Sequence, residues 1–154
     1  WLGYILATSW HETAATMQAI QEYGSKEYFI KRYWTNTKIR NELGNLSPED
    51  AINYSGKGFV QLTGRKNFKK MGNLLGVDLI SNPHLALLHE VAAKIIFEGM
   101  TTGKSFGGDF TGKHLGNYFN KTNEDWINAR KIVNGLDKAK TIANYAINFY
   151  KALS

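Results

Sequence analysis

Residues 2–20, LGYILATSWHETAATMQAI, decide the fold class, because their apolar residues recur at the period of an α-helix. At about 100° per residue, one stripe of such a helix holds its small and apolar side chains: Leu2, Ile5, Leu6, Ser9, Thr13, Thr16, Met17 and Ile20. The spacing predicts an amphipathic core helix from Leu2 to Ile20, with a stop at Gly24.

Helical spacing recurs towards the C-terminal end, so the sequence predicts a mainly α protein. Asn82 and Pro83 are a good N-cap and first residue for a helix that runs to about Met100. Two more helices are predicted, one capped by Asn123 and running through Val133, and one over residues 137–153.

The segments between these helices carry turn chemistry. Residues 35–55 are polar and predict a long loop with one helical turn starting near Pro48. Residues 56–64 form a short β-prone run bracketed by glycines, and the glycine-rich residues 101–116 predict a connecting loop. The predicted fold is therefore helical with a short β-prone segment.

Length and composition indicate an ordinary globular protein. The 154 residues predict a single domain over 1–154, and 43% hydrophobic with 21% charged residues excludes disordered classes. No cysteine is present, which excludes a disulfide framework, a thiolate metal site and a cysteine nucleophile. The formal charge of +6 favours a polyanionic partner such as nucleic acid, anionic lipid or an acidic cell wall.

The N-terminal residues do not predict a membrane segment or a signal peptide. The apolar run from Trp1 to Ala7 reaches Ser9, His11 and Glu12 too soon for a membrane span, and it lacks a basic start and a small-residue cleavage site. The first residue is Trp, so an upstream targeting segment would not be visible. No membrane insertion is predicted.

Two familiar site motifs almost match and fail. His11-Glu12 begins like a zinc-protease helix, but Ala15 stands where the second histidine would be needed. Residues 99–105 resemble a phosphate loop, but the spacing is too short and a helix precedes it. No metal site and no cofactor are predicted.

A pair of carboxylates is the remaining candidate for a catalytic site. Glycoside hydrolysis needs one carboxyl group to protonate the leaving oxygen and another to activate water or attack the sugar. Glu12 lies roughly 80° from the centre of the apolar stripe, where lost solvation favours the protonated form that a proton donor needs. Glu22 is the nearest second carboxylate, provided that the first helix ends before it. The spacing leaves four other residues open as the second group: Glu27, Glu42, Glu49 and Asp50.

Four blocks of sequence, in order over nearly the whole chain, resemble family 19 glycoside hydrolases, and most closely the phage endolysin branch. They are SWHET (residues 9–13), YSGKGFVQLTGRKNF (54–68), GVDL with Asn82-Pro83 (76–83), and IVNG (132–135). The resemblance implies a mainly helical, two-lobed, lysozyme-like fold.

The resemblance also implies roles for individual residues. It makes Glu12 the general acid and Glu22 the general base of an inverting mechanism, and it makes Thr63 the hydroxyl residue that helps to hold the attacking water. The residues implied to bind substrate share amide, ring or hydroxyl groups: Gln61, Asn67, Asn134, His11 and Tyr54.

The sequence departs from the family pattern at two positions. Lys57 stands between the two glycines where the family usually has arginine, which keeps the charge but loses a planar donor. Ala146 stands where plant-type members have an arginine that reaches the cleft. The missing arginine at residue 146 leaves the plant-type substrate contacts incomplete, which favours a bacterial-wall substrate over crystalline chitin.

The resulting prediction is an enzyme, an endolysin-like hydrolase of the β-1,4 bonds of peptidoglycan, with a chitinase as the alternative. We expect a monomer that has a cell-wall polysaccharide as its partner. It would be made in a host cytoplasm and act on the wall or periplasm, or be secreted. An outside alternative is a nucleic-acid-binding module, based on a basic and aromatic cluster: Lys57, Phe59, Arg65, Lys66, Phe68, Lys69 and Lys70.

Overall fold

A computed structural model of the chain describes residues 1–101 and 110–154. These residues are mainly helical, with four strands of two residues each, so the predicted fold class is confirmed. The chain divides into two compact units: unit 1 contains residues 1–17 and 93–154, and unit 2 contains residues 18–92. None of the described helices combines the length and apolar character needed to cross a bilayer.

Unit 1 is built on two helices that pack together, α1 (Leu2–Glu12) and α7 (Ala139–Leu153). Gly3 allows their close approach, because a Cβ there would lie 3.0 Å from the carbonyl oxygen of Ala146. Around them lie two short 3₁₀ helices, Leu115–Asn117 and Asn128–Ile132, and a hairpin of β3 (Phe119–Asn120) and β4 (Asn123–Glu124).

The first predicted helix ends eight residues early, at Glu12 instead of Ile20. The Thr13 hydroxyl donates to the Ser9 carbonyl and accepts from the Met17 amide, so a side chain takes over bonds that a continuing helix would make with its backbone. Ala14 and Ala15 then adopt positive φ angles of 50° and 64°. The prediction of a helix over residues 13–20 was therefore wrong.

Unit 2 contains the remaining complete elements before α6 (His89–Met100), whose first residues also belong to it. In chain order they are β1 (Ile20–Gln21), α2 (Lys26–Ile30), a π-helical turn (Lys31–Thr35), α3 (Thr37–Leu43), α4 (Pro48–Asn53), β2 (Lys57–Gly58), α5 (Arg65–Leu75) and a 3₁₀ helix (Pro83–Leu87). β1 and β2 pair antiparallel, with Ile20 opposite Gly58. A core cluster of Phe29, Tyr33 and Ala51 joins α2, the π-helical turn and α4.

The predicted loop over residues 35–55 is mostly helical. Asn36 caps α3 by accepting the Ile39 amide, and Gly44 ends that helix in the left-handed conformation. Ser47 caps α4, which confirms the helical turn near Pro48 and extends it to Asn53. Helix α5 follows Gly64, whose φ of +91° favours glycine, and the sequence did not predict this helix.

Three other boundaries differ from the prediction. The helix expected from Pro83 to Met100 is interrupted at Leu88, which is extended, and the Asn82 side chain makes no capping bond. Asn123 begins a strand and not a helix; the side chain that caps the next turn is Asp125, which accepts the Asn128 amide.

The last helix begins at Ala139, two residues after its predicted start. The predicted loop of residues 101–116 falls partly on residues 102–109, which lie outside the described residues, and it ends in the 3₁₀ helix at Leu115.

Candidate active site

Glu12, the candidate acid, is the last residue of α1 and is paired with a cation. Its Oε1 lies 2.8 Å from Nη1 of Arg130, a residue of the last 3₁₀ helix of unit 1. The Arg130 side chain is only 3% exposed, whereas that of Glu12 is 19% exposed. Nε of Arg130 donates to the Asp137 carbonyl at 3.1 Å, which fixes the guanidinium in place. The sequence predicted desolvation at Glu12 but not this neighbouring charge.

Tyr4 adds a buried neutral group to the same unit. Its side chain is 1% exposed, and its hydroxyl makes no hydrogen bond within residues 1–101 and 110–154. Burial raises the pKa of this hydroxyl more strongly than the charge of Arg130 lowers it. Tyr4 therefore stays protonated and neutral.

Glu22, the candidate base, is held by neutral donors. It directly follows β1, and its own amide donates to the Gly56 carbonyl at 2.7 Å. Its carboxylate accepts from the Gly56 amide at 3.1 Å and from the Tyr33 hydroxyl at 2.9 and 3.0 Å. The Tyr28 hydroxyl stands farther away, at 3.4 Å. Burial, and then Glu22 itself, raise the pKa of Tyr33, so this phenol remains a donor.

Gly56 lies between the side chains of Glu22 and Gln61. A Cβ at Gly56 would lie 2.8 Å from Oε1 of Gln61 and 3.2 Å from Oε2 of Glu22. Both side chains therefore flank the same glycine, and a larger residue there would displace the Gln61 side chain. The structure thus brings Glu22 and Gln61 together within one unit.

Lys57, the residue between Gly56 and Gly58, is 1% exposed. Its ammonium donates to the Asn53 and Ser55 carbonyls at 2.8 and 3.2 Å and to the Ser55 hydroxyl at 3.3 Å. Burial lowers the pKa of Lys57 to about 8, and the charge of Glu22 opposes that shift. Lys57 therefore fastens the turn that leads from α4 to Gly56.

Gln61, Thr63 and Asn67 lie in sequence after this turn, and each makes a bond that supports the backbone. Gln61 has a φ of +53°, and its Nε2 donates to the Ile20 and Gly58 carbonyls, both at 3.0 Å. The Thr63 hydroxyl donates to the Gln61 carbonyl at 2.8 Å, and Nδ2 of Asn67 donates to the Thr63 carbonyl at 2.7 Å. All three are partly exposed, so their remaining lone pairs and hydrogens can serve a ligand.

The other predicted substrate contacts lie in different settings. Tyr54 is 4% exposed, and its hydroxyl donates to the Ile80 carbonyl and accepts from Arg65, so it packs inside unit 2. His11 is partly buried in the last turn of α1, and Asn134 is exposed just after the 3₁₀ helix that carries Arg130. His11 and Asn134 belong to unit 1 with Glu12.

Most of the four other carboxylates that the spacing left open as the base have structural partners of their own. Hydrogen bonds at the start of α2 lower the pKa of Glu27, first from its backbone amide and then from Ser25, and the start of α4 does the same for Glu49. Asp50 accepts the Leu46 amide at 2.8 Å and pairs with Arg65 at 3.2 Å. Glu42 is exposed on α3. Glu22 differs from all four in accepting from a buried tyrosine.

Only part of the basic and aromatic cluster of the nucleic-acid alternative lies at the surface: Lys66, Lys69 and Lys70 are exposed, and Phe59 is partly exposed. Phe68 is fully buried, Lys57 points into the fold, and Arg65 is paired with Asp50. Stacking on bases requires exposed rings and phosphate contact requires exposed cations. The cluster therefore offers exposed cations but no fully exposed ring for base stacking.

Two residues with evident roles were not predicted from the sequence. Arg130 precedes the Ile-Val-Asn-Gly block by two residues, and its charge within a buried stretch was a usable signal. Tyr33 was interpreted only as part of an aromatic-rich segment, and nothing in the spacing showed that its hydroxyl meets Glu22.

Comparison with known proteins adds one relative. A segment of 32 residues is 53% identical to Chitinase 8 from Oryza sativa subsp. japonica. The matched similarity is to a glycoside hydrolase. It covers 21% of this chain and 12% of the rice protein, so the chain matches only a small part of that relative's length. No family model matches the chain.

Proposed function

We propose that this chain is a glycoside hydrolase that cleaves β-1,4 bonds of peptidoglycan by inversion, with Glu12 as acid and Glu22 as base. The observation that carries the proposal is the Glu22 carboxylate, fixed by a backbone amide and a buried tyrosine hydroxyl. The segment shared with a chitinase supports the same reaction class.

Glu22 suits the role of base because its donors are neutral. A carboxylate has about four lone-pair positions, and the contacts with Gly56 and Tyr33 leave room to accept a proton from water. The Thr63 hydroxyl has given its hydrogen to the Gln61 carbonyl, so its oxygen can accept the second hydrogen of such a water. In this proposal Thr63 orients the water and Glu22 removes its proton.

Glu12 suits the role of acid because a cation stands beside it to receive the charge that proton transfer creates. Once Glu12 has protonated the leaving oxygen it is a carboxylate, and Arg130 at 2.8 Å stabilises that charge. The guanidinium is fixed by the Asp137 carbonyl beforehand, so little rearrangement is needed.

Charge favours peptidoglycan as the substrate, since a net charge of +6 attracts the carboxylates and phosphates of a bacterial wall, whereas chitin is neutral. The second candidate function is a chitinase, which the similarity to the rice protein favours. Both polymers contain N-acetylglucosamine and β-1,4 bonds. For peptidoglycan, the site of action is the wall or the periplasm.

The test is to incubate the protein with purified peptidoglycan and, separately, with chitin oligomers, and to identify the new reducing ends by mass spectrometry. Peptidoglycan is expected to be cut faster, and NMR of fresh product should show the α-anomer first. The Glu22→Gln variant should bind glycan without turning it over, with Glu42→Gln on the exposed face of α3 as the matched control. A β-anomer first, or full activity in Glu22→Gln, would remove Glu22 as the base.

A further inference from the structure

A groove of about 590 Å³ opens on the surface of unit 2, beside the residues that hold Glu22. Its lining combines aromatic rings, two cations, an amide and one aliphatic side chain: Tyr28, Lys31, Arg32, Tyr33, Asn36 and Ile39. The two-carboxylate reaction makes no use of Lys31, Arg32 or Asn36.

The cations of this groove are not neutralised by a contacting carboxylate. In the part of the chain that the structure describes, no carboxylate lies within salt-bridge distance of Lys31 or Arg32, and both side chains are exposed. Nη1 of Arg32 donates to the Tyr28 hydroxyl at 2.8 Å, and the guanidinium carbon lies 5.7 and 5.4 Å from the ring centres of Tyr28 and Tyr33. The guanidinium is thus oriented, and its other N–H groups can serve an anion.

The backbone explains why these side chains gather here. Residues 31–35 form a π-helical turn, a rare conformation that occurs often at functional sites. Asn36 follows it and accepts the Ile39 amide through Oδ1, which leaves the Nδ2 hydrogens available as donors. An amide donor beside aromatic rings suits an N-acetylated sugar.

The groove adjoins the candidate base through shared tyrosines. The Tyr28 and Tyr33 side chains line the groove, and their hydroxyls stand 3.4 Å and 2.9 Å from the Glu22 carboxylate. Tyr28 is the more exposed of the two, and a sugar seated against its ring would lie next to the one at which Glu22 acts. The groove therefore lies where the neighbouring sugar of a bound glycan would be, which is the position of a subsite.

We propose that this groove is a subsite for an N-acetylated sugar that bears a carboxylate, with Arg32 and Lys31 binding the carboxylate and Asn36 the acetamido group. The proposal rests on the function proposed above and names the feature of the substrate that this part of the site selects. Two parts of a bacterial wall carry such a group: the lactyl ether of N-acetylmuramic acid and the peptide attached to it. A polymer of N-acetylglucosamine carries neither.

The kinetic test compares two substrates in matched variants. The first substrate is peptide-free glycan strands, whose lactyl carboxylates are free, and the second is neutral N-acetylglucosamine oligomers. We expect the ratio of kcat/KM on the first to kcat/KM on the second to fall about tenfold in Arg32→Gln, which is the size of one charge-assisted hydrogen bond. The ratio should fall less in Lys31→Gln and stay at the wild-type value in Lys38→Gln, which changes an exposed lysine of α3 outside the groove. An equal loss on both substrates in Arg32→Gln would overturn the proposal.

A binding test separates this proposal from the proposed reaction, because it requires no turnover. Calorimetry with wild-type protein compares peptide-free strands, peptide-bearing strands, and both after methyl esterification of their carboxylates. Weaker binding after esterification of the peptide-free strands assigns the lactyl group, and weaker binding only with the peptide-bearing strands assigns the peptide. Either result supports the subsite even if neither polymer is cut.

Two results of the binding test would overturn the subsite. The first is unchanged affinity after esterification of both kinds of strand. The second is displacement of the strands by inorganic phosphate at equal concentration, since that marks a general anion site such as one for nucleic acid or teichoic acid.

Discussion

Glu12 and Glu22 are both partly buried glutamates, but a cation holds the first and neutral groups hold the second. Arg130 is almost completely buried beside Glu12, so this contact is a charge pair. Gly56 and Tyr33 give Glu22 hydrogen bonds without a compensating charge at contact distance. In the proposed reaction Glu12 gains a negative charge that Arg130 stabilises, whereas Glu22 loses its negative charge when it takes the proton from water, and its neutral donors suit both states.

The comparison also shows which neighbours each carboxylate depends on. Removing Glu12 leaves a buried guanidinium without its partner, and a buried unpaired charge destabilises a fold. Removing Glu22 leaves a backbone amide and a phenol, which lose far less because they are neutral. The same chemical change should therefore have different effects on stability in the two units.

The largest effect is expected for Glu12→Gln, which keeps the shape of the side chain but cannot donate the proton. Wall lysis should fall by about 10² to 10⁴, the usual contribution of general acid catalysis. The melting temperature should also fall, because the amide no longer matches the charge of Arg130. Glu124→Gln, at an exposed position of β4 in the same unit, is the control for both measurements. A variant that keeps more than a tenth of the wild-type rate would show that Glu12 is not the acid.

The charge pair itself is tested by Arg130→Met. We expect a loss of about 2 to 3 kcal/mol in the free energy of unfolding, below the full value for a buried pair because Glu12 is partly solvated. In urea titrations the double variant Arg130→Met with Glu12→Gln should lose less than the sum of the two single variants. Strict additivity would contradict the pairing.

Tyr33→Phe tests the neutral side of the comparison. The phenylalanine keeps the stacking on Phe29 but removes one donor to Glu22, so turnover should fall about tenfold while unfolding changes by about 1 kcal/mol. Tyr23→Phe is the matched control, because Tyr23 follows Glu22 and is almost fully exposed. Equal and small effects of both changes would exclude a role for the Tyr33 hydroxyl.

The smallest effect concerns Lys57, whose pKa of about 8 in the folded state lies below its value in the unfolded chain. At pH values between the folded and unfolded pKa of Lys57, the unfolded chain binds more protons than the folded one. The contribution of Lys57 to the free energy of unfolding therefore increases as pH rises. The free energy of unfolding of the wild type, relative to Lys57→Met, should increase by about 1 kcal/mol at most between pH 7 and 8.5. Urea titrations at both pH values measure it, and a relative decrease would contradict the burial of a charged lysine.

Local sequence predicted helices where the helical period was long and unbroken, as in α1 and α7. It placed the end of α1 eight residues too late, because hydrogen bonds from the Thr13 side chain compete with the backbone and apolar spacing does not report them. The α3 helix was missed although its signals were present, an Asn36 cap and a terminal Gly44. In that segment the capping residues were better indicators than the polar composition.

The candidate site was predicted unevenly for a related reason. The resemblance implied Glu12 and the residues around Gly56 because they lie in contiguous blocks, and it implied Glu22 from the residues next to it, outside those blocks. Arg130 and Tyr33 contact the two glutamates from distant positions in the chain, and one sequence holds no record of such pairings. Tyr54 lies in a motif, yet the structure shows it packed with its hydroxyl on Ile80.

The division of the chain also sets an order for folding during synthesis. Unit 2 is one continuous stretch that is complete once Ala92 has been translated, but α1 must wait for α7, which is translated after all of unit 2. Until then Tyr4, Ile5 and Ala7 have no partner helix to cover them. Domains usually fold from the N-terminus as they emerge. Helix α1 is therefore translated well before its partner helix α7 and is among the last of the described elements to be buried.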